Sequence, residues 1–314
     1  MQPATEEQTR DSDSPHIGNF QRGSVFALAG LRKAPMGNDA VIAHIHVPKC
    51  GGTSVRMMMA KYFGAGHLSL YDDDTLFIYS EAQLADYLRA PSVRAFSSHF
   101  VREFPPAVAG RRMLYITFLR DPIEQFISYL TYVRKHFSEI HDDHQLAMLP
   151  PDLPALSSRK IARWILTSPV DIHFRENYTT EFFARYVFRR RYAKLDGARY
   201  HRSRLDLARS VLDRFFFVGI TERLGESVSA LQMRAQNANI DFPPGAVGRE
   251  NVSADFRDDL SWIHPDDEVG AMLFDSVRED RQLYEWAAAR FEAAIAPTFT
   301  GVVSPIERMA PPAL

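Results

Sequence analysis

Val41-Ile42-Ala43-His44-Ile45-His46-Val47-Pro48-Lys49-Cys50-Gly51-Gly52-Thr53-Ser54 is the stretch that decides the fold class of this chain. An apolar, β-prone run enters a glycine turn, and Val55-Arg56-Met57-Met58-Met59-Ala60-Lys61-Tyr62-Phe63 continue as a helix. Strand, glycine loop and helix in that order build an anion cradle. The first N–H groups of a helix have no intrahelical partner, and the helix dipole adds partial positive charge there. Gly51 and Gly52 let a phosphate come close to the backbone. Thr53 and Ser54 add hydroxyl donors, and Lys49 adds a full charge. The plainer alternative is a tight βα turn with an exposed lysine.

The order of residues within the loop excludes one class. In a Walker A loop the lysine follows the glycines, whereas here Lys49 precedes them, which makes a poor ATPase or GTPase loop.

Composition narrows the rest. The chain has 314 residues, enough for one large domain or two small ones, and 46% of them are hydrophobic, ample for a packed core. A formal net charge of -2 gives no global basic field directed at nucleic acid. Basic residues cluster locally, in Arg189-Arg190-Arg191 and between Arg199 and Arg209. These read either as a solvated helix face or as a rim attracting an anionic acceptor. The single cysteine, Cys50, forbids an intrachain disulfide and suits a reducing compartment. Positive potential in the loop is expected to lower its pKa, although no partner marks it as a nucleophile. No apolar run approaches the roughly 20 residues that span a bilayer, and residues 1–23 lack the pattern of a signal peptide. The expectation is a cytoplasmic protein.

Residues 1–38 read as a flexible tail, so the domain is expected over 39–300, followed by a proline-containing tail over 301–314. Further strands are expected at Val93–Ser98, Met113–Arg120 and Phe215–Ile220. Their continuous apolar character suits a parallel sheet buried on both faces. Asp121 and Pro122 open a helix as N-cap and N1. Ile123, Phe126, Ile127, Leu130 and Val133 then give its apolar stripe. Helices are also expected from Glu222 to Gln236 and from Asp280 to Ile295. Residues 135–210, with Pro150-Pro151 and many aromatics, read as a mostly helical insertion packed over the sheet and a candidate acceptor lid. The alternation is that of an α/β domain.

Ligands of open α/β sheets bind beyond the carboxyl ends of the strands. Lys49, His99, Arg120 and Gly219 fall at four such ends. Arg120 ends a strand, and Ser128, eight residues on, lies in the following helix. Together they can hold one phosphate, the guanidinium fork supplying charge-assisted bonds and the hydroxyl another. Alternatively, Arg120 pairs with a nearby carboxylate and Ser128 faces solvent. His99, with a pKa near neutrality, can accept a hydroxyl proton.

The loop around Lys49 closely resembles the 5′-phosphosulfate loop of sulfotransferases, enzymes that use 3′-phosphoadenosine 5′-phosphosulfate (PAPS). The run Phe118-Leu119-Arg120-Asp121-Pro122-Ile123-Glu124-Gln125-Phe126-Ile127-Ser128-Tyr129 resembles the 3′-phosphate motif of the carbohydrate-type and bacterial branch. His99 in Phe96-Ser97-Ser98-His99-Phe100 is similar to the family's strand-end histidine, with Ser98 where a glycine is usual. Weaker likenesses follow in Phe217–Arg223, in Asn177-Tyr178-Thr179-Thr180, and in Asn251-Val252-Ser253 with Arg249 or Arg257 beside it. The resemblance implies a P-loop NTPase-like three-layer sandwich with a central parallel sheet. It also implies transfer of a sulfuryl group from PAPS, without a metal, to an acceptor hydroxyl, with a carbohydrate acceptor by family analogy. It assigns His99 as general base and Lys49 as charge stabiliser. Lys49, Cys50, Gly51, Gly52, Thr53, Ser54, Arg120, Ser128 and Arg257 become cofactor ligands. The expected cytoplasmic location separates the chain from the membrane-anchored Golgi members. Two other readings stay open, a P-loop transferase such as a small-molecule kinase and a non-catalytic adenosine-nucleotide binder.

Overall fold

A computed structural model describes residues 40–70, 81–99, 110–135, 152–168, 175–184, 203–245 and 260–299, with Val101, Val108, Phe137 and Pro150 besides. The chain runs β1 (Ala40–Ile45), α1 (Gly52–Phe63), β2 (His67–Leu70), α2 (Glu81–Tyr87), β3 (Ala95–Ser98), β4 (Arg112–Leu119) and α3 (Pro122–Lys135). After α4 (Ser158–Thr167), residues 178–184 are helical. Then come α5 (Arg204–Leu212), β5 (Phe217–Ile220), α6 (Leu224–Asn237), α7 (Glu268–Ser276) and α8 (Arg278–Phe299).

The described strands form one five-stranded sheet in the order β2-β3-β1-β4-β5, and every pairing is parallel. All six residues of β1 are buried. Successive side chains of a strand point to opposite faces, so both faces of the sheet centre are covered, as in a three-layer α/β sandwich. α1 packs on β2 and β3, while α6 and α8 pack on β5. Phe96, Phe118, Ile45 and Ile116 are fully buried in the main core. Each such side chain contributes about 1.5–3 kcal/mol over leaving it in water.

Strand order also places the site. From β1 the chain moves to β2 at one edge, and from β4 it moves to β5 at the other. The direction of connection therefore reverses between β1 and β4, and the crevice at their carboxyl ends is where such sheets take ligands. The register pairs Ile45 with Ser98 and Leu119 with Ile220. Lys49, His99, Arg120 and Thr221 consequently all lie beyond the same edge.

The four expected strands are present, with boundaries shifted by a few residues, and β2 is an addition. Its sequence, His67-Leu68-Ser69-Leu70, is too short and polar to announce a strand. Helices α2 and α7 are further additions, α7 opened by the Asp267 carboxylate, which accepts from the N–H groups of Val269 and Gly270. The described parts of 135–210 are mostly helical but do not simply cover the sheet. α4 packs with α3 and α7 in a separate apolar cluster around Phe126, Leu130, Ile161, Ile165 and Leu273, while Phe183 and α5 join the main core. Gly219 serves packing, because a Cβ there would lie 2.6 Å from the Phe118 ring.

Candidate functional site

The loop after β1 is held from behind by three consecutive carbonyls. The Pro48 carbonyl accepts from Gln125 Nε2 at 2.8 Å, that of Lys49 from Arg120 Nη1 at 3.3 Å, and that of Cys50 from Thr221 Oγ1 at 2.8 Å. These donors come from α3, the end of β4 and the end of β5. In a trans peptide the carbonyl and the next N–H point in opposite directions. Drawing the Cys50 carbonyl toward Thr221 therefore aims the Gly51 N–H to the side opposite Thr221. Lys49 (φ 65°) and Gly51 (φ 71°) both adopt the left-handed conformation that this turn requires. For Lys49, a non-glycine residue, the conformation costs about 1–2 kcal/mol.

Of the five N–H groups in the loop, two are already used. Cys50 donates to Val47 and Ser54 donates to Gly51. The N–H groups of Gly51, Gly52 and Thr53 have no partner among the described residues. They sit at the N-terminus of α1, a twelve-residue helix whose dipole favours an anion there. The cradle is thus narrower than the sequence implied. Ser54 is buried, and so is the Cys50 side chain, which leaves Cys50 only a structural part. Burial pushes the Cys50 thiol up and outweighs the lowering by Arg120, the reverse of the expected direction.

Lys49 and Arg120 stand together beside this cradle. The Lys49 ammonium lies 4.3 Å from the centre of the half-exposed Tyr132 ring. Burial and then the Arg120 charge bring its pKa down to about 8. Arg120 places one nitrogen on the Lys49 carbonyl and another 3.4 Å from Glu124 Oε2. The carboxylate-pairing alternative for Arg120 is therefore realised, by Glu124 one turn into α3. Ser128 is half-buried one further turn along, on the face that carries Glu124. Asp121 caps α3 as expected, accepting from Ile123 and Glu124 N–H. Its own N–H donates to Glu222, which also accepts from the Tyr284 hydroxyl.

His99 is half-buried, and its Nδ1 lies 2.6 Å from the His46 carbonyl. A carbonyl only accepts, so Nδ1 carries the proton and the neutral ring keeps its lone pair on Nε2. His46 lies against His99, its ring tilted at 35° with 4.2 Å between centroids, and His44 stacks on His46 at 5.3 Å. Ser97 Oγ lies 3.0 Å from both His44 Nδ1 and His67 Nε2. Burial pushes His44 down to about 3 and His67 to about 4, and it also holds His46 well below the usual imidazole range. These buried rings are neutral at pH 7. Among the described residues no group of three or more His, Cys, Asp or Glu side chains is arranged to hold a metal ion.

The structure thus gathers Lys49, Gly51, Gly52, Thr53, Arg120 and His99 at one edge of the sheet. Arg257 lies outside the described residues, as do Phe100, Arg249 and Asn251-Val252-Ser253. Asn177 takes a structural place. Its side chain accepts from the N–H groups of Glu279 and Asp280 at the head of α8. Asp280 in turn accepts from the N–H groups of Thr179 and Thr180. Within the basic stretch Arg199–Arg209, Arg204 pairs with Glu176, Glu181 and Glu279, and Arg209 donates to the Gln282 carbonyl. Both serve packing, and Arg189-Arg190-Arg191 lie outside the described residues. Thr221, Gln125, His44 and His46 were not anticipated as parts of the site. The usable signal for the two histidines was their spacing of two on a strand, which puts them on one face.

No protein-family model matches the chain, and no curated protein matches it.

Proposed function

We propose that the chain is a sulfotransferase that takes a sulfuryl group from PAPS to an acceptor hydroxyl, in the first instance on a carbohydrate. The observation that carries this reading is the loop tied back by its carbonyls. It presents the N–H groups of Gly51, Gly52 and Thr53 beside Lys49 and Arg120, at the reversal point of a parallel sheet. Backbone donors with adjacent fixed cations suit a group whose negative charge grows at the oxygens as a bond breaks. His99, with its lone pair on Nε2, stands at the next strand end as proton acceptor.

In the proposed reaction the acceptor oxygen forms a bond to sulfur as the bond from sulfur to the phosphate oxygen breaks. The hydroxyl proton passes to His99 Nε2, and 3′,5′-bisphosphoadenosine leaves. Lys49 and the three N–H groups stabilise the charge on the departing phosphate and the sulfuryl oxygens. Arg120 and Ser128 take the 3′-phosphate, for which Arg120 exchanges Glu124. These positive groups perform the electrostatic work without calling on a metal. The single, buried Cys50 supports a reducing, cytoplasmic setting. Among the described residues no helix is long and apolar enough to cross a membrane.

Calorimetric titration with 3′,5′-bisphosphoadenosine, 5′-AMP and ATP–magnesium tests the proposal. It expects micromolar or tighter binding of the bisphosphate and much weaker binding of 5′-AMP. Equal affinity for the two, or a requirement for ATP and magnesium, overturns it in favour of a kinase-like transferase. Tight bisphosphate binding without transfer to any acceptor would leave only a nucleotide binder, and near-normal turnover in His99→Ala would exclude His99 as the base.

A further inference from the structure

We infer that His46 is a positioning residue, whose ring, clamped between the anion loop and the strand-end histidine, holds His99 in one orientation and one tautomer. The inference rests on the reading of His99 as proton acceptor. Three contacts made by the one residue carry it. Its ring lies 4.2 Å from that of His99, at 35°, so neither ring turns without displacing the other. Its carbonyl accepts from His99 Nδ1 at 2.6 Å. The ring also fills the space a side chain on Gly52 would need, where a Cβ would lie 2.0 Å from His46 Cδ2 and 2.4 Å from Nε2. One imidazole therefore touches both the first residue of the anion-facing helix and the proposed base.

The ring has a firm backing. His44, two residues earlier and on the same face of the strand, stacks on it at an interplanar angle of 13°. His44 is fixed in turn by Ser97, its register partner on β3, and Ser97 also meets His67. The titratable and charged groups facing His46 are His99, His44, Arg56 and Lys49, all of which disfavour a proton on it. His46 thus acts as a neutral, flat spacer, and a planar ring of similar size should replace it.

The test uses the full chain with ¹⁵N-labelled imidazoles, with His99 signals assigned through His99→Gln. At about pH 8, where an ordinary imidazole is neutral, the wild type and His46→Phe should both show His99 as a single Nδ1–H tautomer. His46→Ala should show averaging between the two nitrogens. If His46→Ala does not fold, His46→Leu takes its place, filling volume without a planar face. In transfer assays kcat should fall about 10- to 100-fold in the alanine or leucine variant, as expected for a reacting group set slightly out of line. The Kd for 3′,5′-bisphosphoadenosine should stay within about threefold, and His46→Phe should recover most of kcat. An unchanged His99 tautomer in the alanine or leucine variant overturns the inference, as does equal loss of kcat in the phenylalanine variant. If the tautomer responds as stated but the wild type transfers no sulfuryl group, the positioning stands and the assignment of function fails.

Discussion

The imidazole of His46 occupies the space that any side chain on Gly52 would need, within 2.0 Å of an ideal Cβ. The left-handed glycine of this turn is Gly51, whereas Gly52 is required by contact. Gly52→Ala must push either the ring or the head of α1 aside. Such overpacking costs about 1–3 kcal/mol. The double variant Gly52→Ala/His46→Ala should be more stable than the sum of the two single changes, because they share one space. Urea denaturation of the four proteins measures this, and strict additivity would mean that the ring yields freely.

Arg120 is shared between Glu124 and the Lys49 carbonyl at 3.3–3.4 Å, both long for charge-assisted bonds. A guanidinium held this loosely, and part exposed, is available to an anion. Glu124→Gln should tighten binding of 3′,5′-bisphosphoadenosine by removing the competing carboxylate. Arg120→Ala should weaken it by about 10-fold or more, the worth of a hydrogen bond to a charged group. Calorimetry separates this from a purely structural pair, for which both variants would lower Tm and leave the affinity unchanged.

Lys49, with its pKa brought down to about 8 by burial and Arg120, is charged below that pH and loses its proton above it. A bound dianion favours the charged form and draws the pKa up. Affinity for the bisphosphate should therefore be highest below about pH 8 and fall above it. Near pH 8, binding should be accompanied by proton uptake, read by calorimetry in buffers of different ionisation enthalpy. Lys49→Met should abolish the uptake, and persistence of the uptake in that variant would assign it elsewhere.

The buried histidines predict acid lability. Their folded pKa values lie below the unfolded value of 6.5, at about 3 for His44, about 4 for His67 and lower than usual for His46. The unfolded chain thus takes up protons first. The stability is fully present above pH 6.5 and is lost as pH falls toward 4, each group contributing a slope approaching about 1.4 kcal/mol per pH unit. Asp280 works in the opposite sense. Burial raises it from 3.8 to about 6, so its contribution is present below 3.8 and is lost as pH rises through 6. Denaturant unfolding between pH 7 and 4 should show a net loss on acidification that is shallower in His44→Leu and steeper in Asp280→Asn. A flat profile in the wild type would contradict the neutral, buried assignment of the three rings.

The sheet was legible where apolar runs were continuous, because strands covered on both faces have no need to alternate. His67–Leu70 escaped because an edge strand of four residues, three of them polar or partly exposed, leaves too short a signal. The glycine loop, the Asp121 cap and the residues at the strand ends could be read from type and spacing, since those features are local. What holds the loop could not. The partners of Pro48, Lys49 and Cys50 lie 71 to 171 residues away in sequence. Nothing about Gln125 or Thr221 alone says that a distant carbonyl will meet them. Arg120 shows the converse limit, since its spacing to Ser128 pointed to a phosphate while Glu124, closer on the same helix face, is the partner it has.

Asn177 and Asp280 cap one another's helices across a separation of 103 residues. On a ribosome adding about 5–20 residues each second, that interval lasts roughly 5–20 s. Throughout it the start of the 178–184 helix exists without the carboxylate that accepts its N–H groups. The middle of this protein is therefore completed only by its end, and a nascent chain released before residue 280 would expose the aromatic core around Phe182 and Phe183 at the moment chaperones could find it.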